Sequence, residues 1–219
     1  MQYYWLNKNN NKKLIVFFAG WSFDYVPFEF LKCFDEDVIV FYDYSTLDNI
    51  PDLSGYHDYT LIAWSMGVYV SYVLRDKLPK FNRKIAVNGT VYPVDDNFGI
   101  PKRTFDLTLK FVESGLQGKF YKNVFDDESL YLRYMKKPVL RTIANRVSEL
   151  YALSGMIKNL DVKYDGKYYD FAIIGNRDKI IPTKNQISFW TNRAQLVDSG
   201  HFPFYNYNAW DELCRLTQK

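Results

Sequence analysis

The sequence predicts an α/β fold with a doubly wound, mostly parallel sheet and an inserted block of helices. Two observations predict it. Short apolar runs, typical of strands buried on both faces, alternate along the chain with segments of helical periodicity. From residue 98 to about residue 158 the strand-like runs stop and helix-like segments replace them. We therefore expect one domain, residues 1–219, with a helical cap at about 98–158.

The predicted strands are short and apolar, and several end at a glycine or a polar residue. In chain order they are expected at residues 3–6, 14–19, 38–42, 59–64, 84–88, 169–174 and 194–197. Gly20, Asp43 and Gly175 directly follow three of them. Parallel strands connected by helices bring their carboxyl ends to one edge of the sheet, which is where ligands bind in such folds.

The predicted helices follow from apolar residues at helical spacing. They are expected at residues 27–34, 66–78, 138–153, 182–191 and 207–216. The clearest is 138–153, because Pro138 suits a first helical turn and apolar residues recur on one face. That face comprises Val139, Leu140, Ile143, Val147, Leu150 and Tyr151.

The stretch A-W-S-M-G at residues 63–67 lies between a predicted strand and a predicted helix. A serine on such a turn is the nucleophile elbow of α/β-hydrolases, usually written G-x-S-x-G. The sharp turn brings together the residues two before and two after Ser65, so both must be small. Ala63 replaces the first glycine and adds only a methyl group. The simpler alternative is that Ser65 only caps the helix.

Composition limits the classes of function. A net charge of +3 is too small to indicate nucleic-acid binding, and 47% hydrophobic residues argue against disorder. The aromatic residues are expected mostly in the core. The two cysteines, Cys33 and Cys214, form neither a disulfide framework nor a metal-site spacing. Without a signal-peptide core or a spanning apolar run, we expect a soluble, cytoplasmic monomer with no membrane partner.

A serine nucleophile needs a base, and the chain contains only two histidines. His57 precedes the elbow strand, which places it at the amino end of the sheet as a surface residue. His201 follows the last predicted strand and therefore lies at the same edge as Ser65. A loop histidine commonly has no catalytic role, but His201 is the one that can reach the elbow.

The base in turn needs a carboxylate. Asp178 lies just past a strand's carboxyl end in G-N-R-D-K-I-I-P, whereas Asp165 and Asp170 lie before that strand or at its start. Asp198 is too close along the chain to His201 to be the first choice. The resulting order of nucleophile, acid and base is that of α/β-hydrolases.

The reaction also needs donors for a developing oxyanion. One is expected to be the backbone N–H of Met66, directly after the nucleophile. The other is expected from the loop after the strand at 14–19, where we choose the N–H of Trp21. The side chain of Trp21 can pack in the core at the same time.

Four segments carry a resemblance to a known family. They are F-F-A-G-W-S-F-D (17–24), A-W-S-M-G-V-Y-V (63–70), A-V-N-G-T (86–90) and D-D-N-F-G-I-P (95–101). In these segments the chain resembles the BioG-type pimeloyl-[acyl-carrier protein] methyl ester esterases. The resemblance extends over nearly the whole chain in length and motif order, and is weakest at about 102–158.

The resemblance implies hydrolysis of the methyl ester of pimeloyl-acyl carrier protein, the step that ends chain elongation before biotin is made. The family's nucleophile, acid and base fall on Ser65, Asp178 and His201. Its oxyanion donors fall on Trp21 and Met66. No metal or organic cofactor is needed, and the acyl carrier protein is the expected partner.

A basic run in the cap gives this partner some independent support. The cations are Arg133, Lys136, Lys137, Arg141 and Arg146, and no acidic residue interrupts them. Acyl carrier proteins are acidic and carry a phosphate on their prosthetic arm, so a basic rim suits docking. The alternative is an ordinary solvated helix face.

Two other functions stay open at this point. One is a carboxylesterase or thioesterase for small acyl substrates that needs no carrier protein. The other is a catalytically inactive binding protein on a hydrolase scaffold. Neutralising the basic run tests the first: loss of activity on a carrier-linked ester, with a small ester still cleaved, supports carrier docking. A fluorophosphonate tests the second, because an inactive scaffold would not be labelled at Ser65.

Overall fold

The computed structural model describes residues 1–164 and 166–216. Its centre is a seven-stranded sheet that is parallel except for the first strand. The strands are β1 (Gln2–Asn7), β2 (Lys13–Phe18), β3 (Glu36–Tyr42), β4 (Asp58–Trp64), β5 (Arg83–Val87), β6 (Phe171–Gly175) and β7 (Ala194–Val197). The fold class predicted from the sequence is confirmed.

The strand order creates a crevice at one edge of the sheet. The order is β1-β3-β2-β4-β5-β6-β7, so β2 and β4 are neighbours at the centre. The chain leaves β2 toward β3 on one side, and it leaves β4 toward β5 on the other side. Ligands in open α/β sheets bind at such a reversal, outside the carboxyl ends of the strands. The loop after β2 and the turn after β4 meet there.

Eight α-helices surround the sheet in the described ranges. They are α1 (Met66–Val73), α2 (Lys102–Lys110), α3 (Val112–Leu116), α4 (Lys119–Phe125), α5 (Glu128–Met135), α6 (Ile143–Asn159), α7 (Thr183–Trp190) and α8 (Trp210–Arg215). Helices α2–α6 follow one another between β5 and β6, where the sequence predicts a helical insertion. None of these eight combines the length and the apolar character needed to cross a membrane.

The start of the helix predicted at 138–153 is wrong. Helix α6 begins at Ile143, where the Thr142 hydroxyl accepts a hydrogen bond from the backbone N–H of Asn145 (3.2 Å) and so caps the first turn. The backbone N–H of Leu140 donates instead to Asp24 (2.7 Å). The predicted apolar face is also wrong at Leu140 and Tyr151, which are 71% and 57% exposed.

The helix predicted at 27–34 is wrong as well. A short 3₁₀ turn covers Val26–Phe28, and the chain beyond it is not helical. The backbone N–H of Lys32 donates to the carbonyl of Asn208 (2.9 Å), and its carbonyl accepts from Trp210 (3.1 Å). Pairing with this distant segment replaces the hydrogen bonds that a helix would use.

Aromatic side chains fill much of the core beneath the crevice, as the composition predicts. Trp64, the last residue of β4, packs edge-on against Phe23 and Phe202, with ring centroids 4.7 Å and 5.4 Å apart. All three side chains are buried. The turn at Ser65 therefore packs on buried aromatic side chains.

Candidate active site

Ser65 occupies a strained turn between β4 and α1. Its backbone angles are φ 57° and ψ −124°, which a residue with a side chain rarely adopts. The turn brings α1 close to the end of β2: a Cβ added to Gly67 would lie 2.4 Å from the Phe18 carbonyl oxygen. Ala63 is fully buried, so the methyl group in place of the usual glycine is accommodated.

Gly67→Ala is expected to destabilise the protein by about 1–3 kcal/mol, because α1 must move away from β2 to accept the methyl group. Denaturant unfolding measures this. Gly155→Ala is the matched control, since Gly155 lies within α6 and an added Cβ meets nothing within 4 Å. That variant should be unchanged or more stable by up to about 1 kcal/mol. Equal effects at both glycines would contradict the close approach at the elbow.

The structure brings Ser65, His201 and Asp178 together. The Nε2 atom of His201 lies 2.9 Å from the Ser65 hydroxyl oxygen, and its Nδ1 atom lies 2.8 Å from Asp178 Oδ2. All three residues are buried. With the Nδ1 proton donated to Asp178, Nε2 is free to accept the hydroxyl proton. This geometry suits activation of a serine for nucleophilic attack.

Besides His201, three donors hold the carboxylate of Asp178. Its Oδ1 atom accepts from the backbone N–H groups of Ile180 (2.8 Å) and Ile181 (3.0 Å), and Oδ2 accepts from the side-chain amide of Gln186 (2.8 Å). Gln186 was not predicted from the sequence. The pattern that could have indicated it is a polar residue in the predicted helix directly after the acid, eight residues beyond Asp178.

Asn88 is a second residue that the sequence analysis missed. Its side chain is fully buried, and its Nδ2 atom donates to the carbonyls of Gly200 and His201 (both 3.0 Å). Its Oδ1 atom accepts from the N–H of Gly175 (2.7 Å). Asn88 thus ties the ends of β5 and β6 to the histidine loop, while the indole of Trp64 also donates to the His201 carbonyl (2.8 Å).

The other histidine and the other aspartates considered for the acid do not contact Ser65 or His201 in the described residues. His57 is exposed, and its backbone pairs with Lys12 at the amino end of β2. Asp170 accepts from the backbone N–H of Lys84 at the amino end of the sheet (2.7 Å). Asp198 forms an ion pair with Arg177. Asp165 lies outside the described residues.

The loop after β2 closely approaches the nucleophile. A Cβ added to Gly20 would lie 3.1 Å from Ser65 Cβ and 3.0 Å from the Trp64 ring, so only glycine fits there without displacing a neighbour. Trp21 follows directly. Met66 is the first residue of α1, and its N–H is among those that a helix leaves without an intrahelical partner. Both N–H groups remain candidates for an oxyanion hole.

A cavity of about 410 Å³ opens beside these residues and is lined by Ser65 and His201. Its wall is mostly apolar and comes largely from the helical insertion. The side chains from α2–α4 include Phe105, Leu107, Val112, Leu116 and Phe120. Two exposed lysines, Lys119 and Lys179, also line it. The cavity suits an apolar chain whose reactive end lies at the serine.

Comparison with known proteins gives the family. Residues 1–213 match the family model described as pimeloyl-ACP methyl esterase BioG. The chain belongs to the BioG family. The crystal structure of BioG from Haemophilus influenzae has a TM-score of 0.90 and 32% identity to this chain, covering 97% of this chain and 99% of that one. The resemblance stated from the sequence is therefore confirmed, and the chain is an esterase of this family.

Two curated relatives of this BioG-family chain support the assignment. An uncharacterized protein of Haemophilus influenzae is 34% identical over 204 residues, 91% of this chain and 93% of that protein. A malonyl-[acyl-carrier protein] O-methyltransferase of Bacteroides fragilis is 34% identical over 196 residues, 87% of this chain. The chain spans only 40% of that relative's length. Other solved esterases and hydrolases, at 11–17% identity, share the fold alone.

Two of the five cations predicted on the basic rim of this BioG-family chain do not belong to an exposed surface. The side chain of Arg141 is 6% exposed and pairs with Asp43 (3.2 Å) and Glu149 (2.8 Å). Arg146 is buried, where its guanidinium donates to the Tyr121 hydroxyl and to the Thr142 carbonyl. The prediction of surface docking is wrong for both.

The other three cations are exposed. They are Arg133, Lys136 and Lys137. The guanidinium of Arg133 stacks on the ring of Tyr205, with its carbon 3.9 Å from the centroid, and Lys137 pairs with Glu29 (3.2 Å). Their binding role stays a prediction.

Proposed function

We propose that this esterase hydrolyses the methyl ester of pimeloyl-acyl carrier protein in biotin synthesis, with Ser65 as nucleophile, His201 as base and Asp178 as its orienting acid. The observation that carries the proposal is the position of His201. One ring nitrogen lies within hydrogen-bond distance of Ser65 and the other within that distance of Asp178, at the wall of an apolar cavity.

In the first half of the reaction, Ser65 Oγ attacks the ester carbonyl while His201 Nε2 takes the hydroxyl proton. The carbonyl oxygen becomes negative in the tetrahedral intermediate. The backbone N–H groups of Met66 and Trp21 stabilise that charge. As the intermediate collapses, His201 protonates the departing methoxide, and methanol leaves an acyl-enzyme on Ser65.

In the second half, His201 removes a proton from a water molecule that attacks the acyl-enzyme. The same two N–H groups stabilise the second tetrahedral intermediate. Its collapse returns the proton to Ser65 and releases a free carboxylate. Asp178 stabilises the imidazolium that forms at each proton transfer.

The cavity supports an acyl chain as the group next to the ester. Its apolar wall buries methylene groups favourably, at about 0.8 kcal/mol for each. Names among the relatives agree with a carrier-linked methyl ester. The family is described as a pimeloyl-ACP methyl esterase, and the Bacteroides fragilis relative is named for methylating an acid on a carrier protein.

Exposed cations support an acidic carrier protein as the partner. Arg133, Lys136 and Lys137 lie at the end of α5 and just after it, while Lys119 and Lys179 line the cavity itself. Positive charge near a site raises the rate at which an acidic protein associates with it.

Methanol release from pimeloyl-acyl carrier protein methyl ester tests the proposal directly. Turnover of this substrate, at a higher kcat/KM than a small methyl ester, supports it. If the protein cleaves p-nitrophenyl acetate but ignores the carrier-linked ester, the serine esterase chemistry stands and the biotin substrate is wrong. If no ester is cleaved and a fluorophosphonate does not label Ser65, the fold serves binding alone.

Replacing Arg133, Lys136 and Lys137 together with glutamine is expected to lower kcat/KM for the carrier-linked ester about tenfold at low salt. Hydrolysis of p-nitrophenyl acetate should change far less, because that substrate has no carrier to dock. The matched control replaces three exposed lysines at the opposite end of the sheet, Lys8, Lys12 and Lys13. Equal losses in both triple variants would indicate a general effect of net charge rather than docking.

A further inference from the structure

Glu149 is a buried carboxylate that the reaction described above does not use. It lies in α6 with no exposed surface. Its Oε1 atom accepts from the N–H of Tyr44 (2.9 Å), and its Oε2 atom accepts from the N–H of Ser22 (3.1 Å) and from Arg141 (2.8 Å). Burial raises the pKa of this carboxyl, while Arg141 and the two backbone donors oppose the shift.

Ser22 belongs to the loop that carries the candidate oxyanion donor. Its φ of 77° is in the left-handed region, which a serine adopts only when its surroundings hold it there. The hydrogen bond to Glu149 is one such constraint. A second constraint acts on the preceding residue, since the Trp21 indole N–H donates to the carbonyl of Arg146 (2.8 Å).

Helix α6 therefore holds the loop at two adjacent points, the side chain of Trp21 and the backbone N–H of Ser22. Both acceptors, the Arg146 carbonyl and the Glu149 carboxylate, are on this one helix. The Tyr121 hydroxyl adds a third contact, because it pairs with the Ser22 hydroxyl and accepts from Arg146. The helical insertion is thus connected directly to the loop beside the nucleophile.

An ordinary core ion pair explains the arrangement less well. Arg141 already has a second carboxylate partner in Asp43 at 3.2 Å. Burying another carboxylate costs more than an ion pair usually returns. The contacts specific to Glu149 are the two backbone N–H groups, of Tyr44 and Ser22, which come from the loops after β3 and β2.

We propose that Glu149, itself oriented by Arg141, is a positioning residue that holds the Gly20–Ser22 loop so that the Trp21 N–H points at the oxyanion. The inference rests on the proposed function, since it assigns Glu149 to the oxyanion hole of that serine esterase. It predicts an effect on the tetrahedral intermediate and little effect on binding of the ground state.

Glu149→Met tests the proposal because it keeps the side chain's length but removes both oxygen acceptors, whereas an amide can turn its oxygen toward Ser22 and Arg141 and keep that contact. The backbone N–H groups of Ser22 and Tyr44 then lose their acceptor in α6. The kcat for hydrolysis of p-nitrophenyl acetate should fall at least tenfold. The loss should be smaller than the factor of about 10²–10³ that follows removal of an oxyanion donor, because here the donor is displaced and not removed. KM should change less than about twofold.

The affinity for a trifluoromethyl ketone distinguishes positioning of the oxyanion donor from a purely structural role of Glu149, because a structural role alone would leave this affinity unchanged. The ketone adds to the serine as a tetrahedral adduct, so its affinity reports on the oxyanion hole. We expect that affinity to fall by the same factor as kcat/KM. The matched control is Glu36→Met, because Glu36 is also a buried carboxylate that accepts a backbone N–H, from Phe34 (3.2 Å), but it lies at the amino end of β3 and shares no partner with Glu149. That variant should stay within about twofold of wild type.

Two results would overturn the inference. The first is Glu149→Met with wild-type kcat and adduct affinity; the second is an equal loss in Glu36→Met. If Glu149→Met does not fold, Glu149→Asp withdraws the carboxylate from Ser22 by one methylene group, and unchanged adduct affinity in that variant overturns the inference as well. A wild-type protein that cleaves no ester overturns the proposed function itself, which keeps the two failures distinct.

Discussion

Ser65→Ala is expected to lower kcat for methanol release from pimeloyl-acyl carrier protein methyl ester by a factor on the order of 10⁶. The hydroxyl at 2.9 Å from His201 Nε2 is the group that forms the covalent intermediate, and water in its place is neither held nor activated to the same degree. Methanol release at saturating substrate, wild type beside the variant, measures the loss.

The variant should keep its fold and its substrate affinity, because the methyl group of alanine fits where the serine Cβ already lies. Thermal unfolding and binding of the carrier-linked ester are the controls. Turnover by Ser65→Ala within tenfold of wild type would remove Ser65 from the nucleophile's role. Loss of both folding and binding would show that the variant disrupts the strained turn at Ser65. Labelling of wild-type Ser65 by a fluorophosphonate would then decide whether Ser65 is the nucleophile.

The features of the fold that the sequence predicted correctly depend on local patterns. The run from residue 59 to residue 64 is apolar enough to be a buried strand, and a serine with small residues two before and two after it fits the nucleophile elbow. The strand alternation then fixes which end of the sheet each loop occupies. This is why Ser65, Asp178 and His201 could be selected although up to 136 residues separate them.

The errors concern residues whose environment comes from distant segments. Arg141 looks like a surface cation in its own neighbourhood, yet Asp43 supplies a buried partner from the loop after β3. Pro138 suits a helix start, but Asp24 accepts the N–H of Leu140 and keeps that segment irregular. Glu149 and Ser22 are 127 residues apart, and no local pattern connects them. Such contacts depend on packing, which periodicity does not encode.

Asp178→Asn is expected to lower kcat by about 10⁴, with KM little changed. The carboxylate accepts the Nδ1 proton of His201 and so leaves Nε2 free to act as the base. An asparagine amide can turn its NH₂ group toward Nδ1 and stabilise the opposite tautomer, which puts a proton on Nε2. The steady-state rate of ester hydrolysis at saturating substrate measures the loss.

Asp198→Asn is the matched control, since Asp198 also follows a strand's carboxyl end and lies three residues before His201. The structure pairs it with Arg177 rather than with the histidine, so its rate should stay within about twofold of wild type. The opposite result, a large loss at Asp198 and none at Asp178, would move the acid to the loop after β7. The buried position of Asp178, with three donors fixing both of its oxygens, argues that this carboxylate orients the histidine.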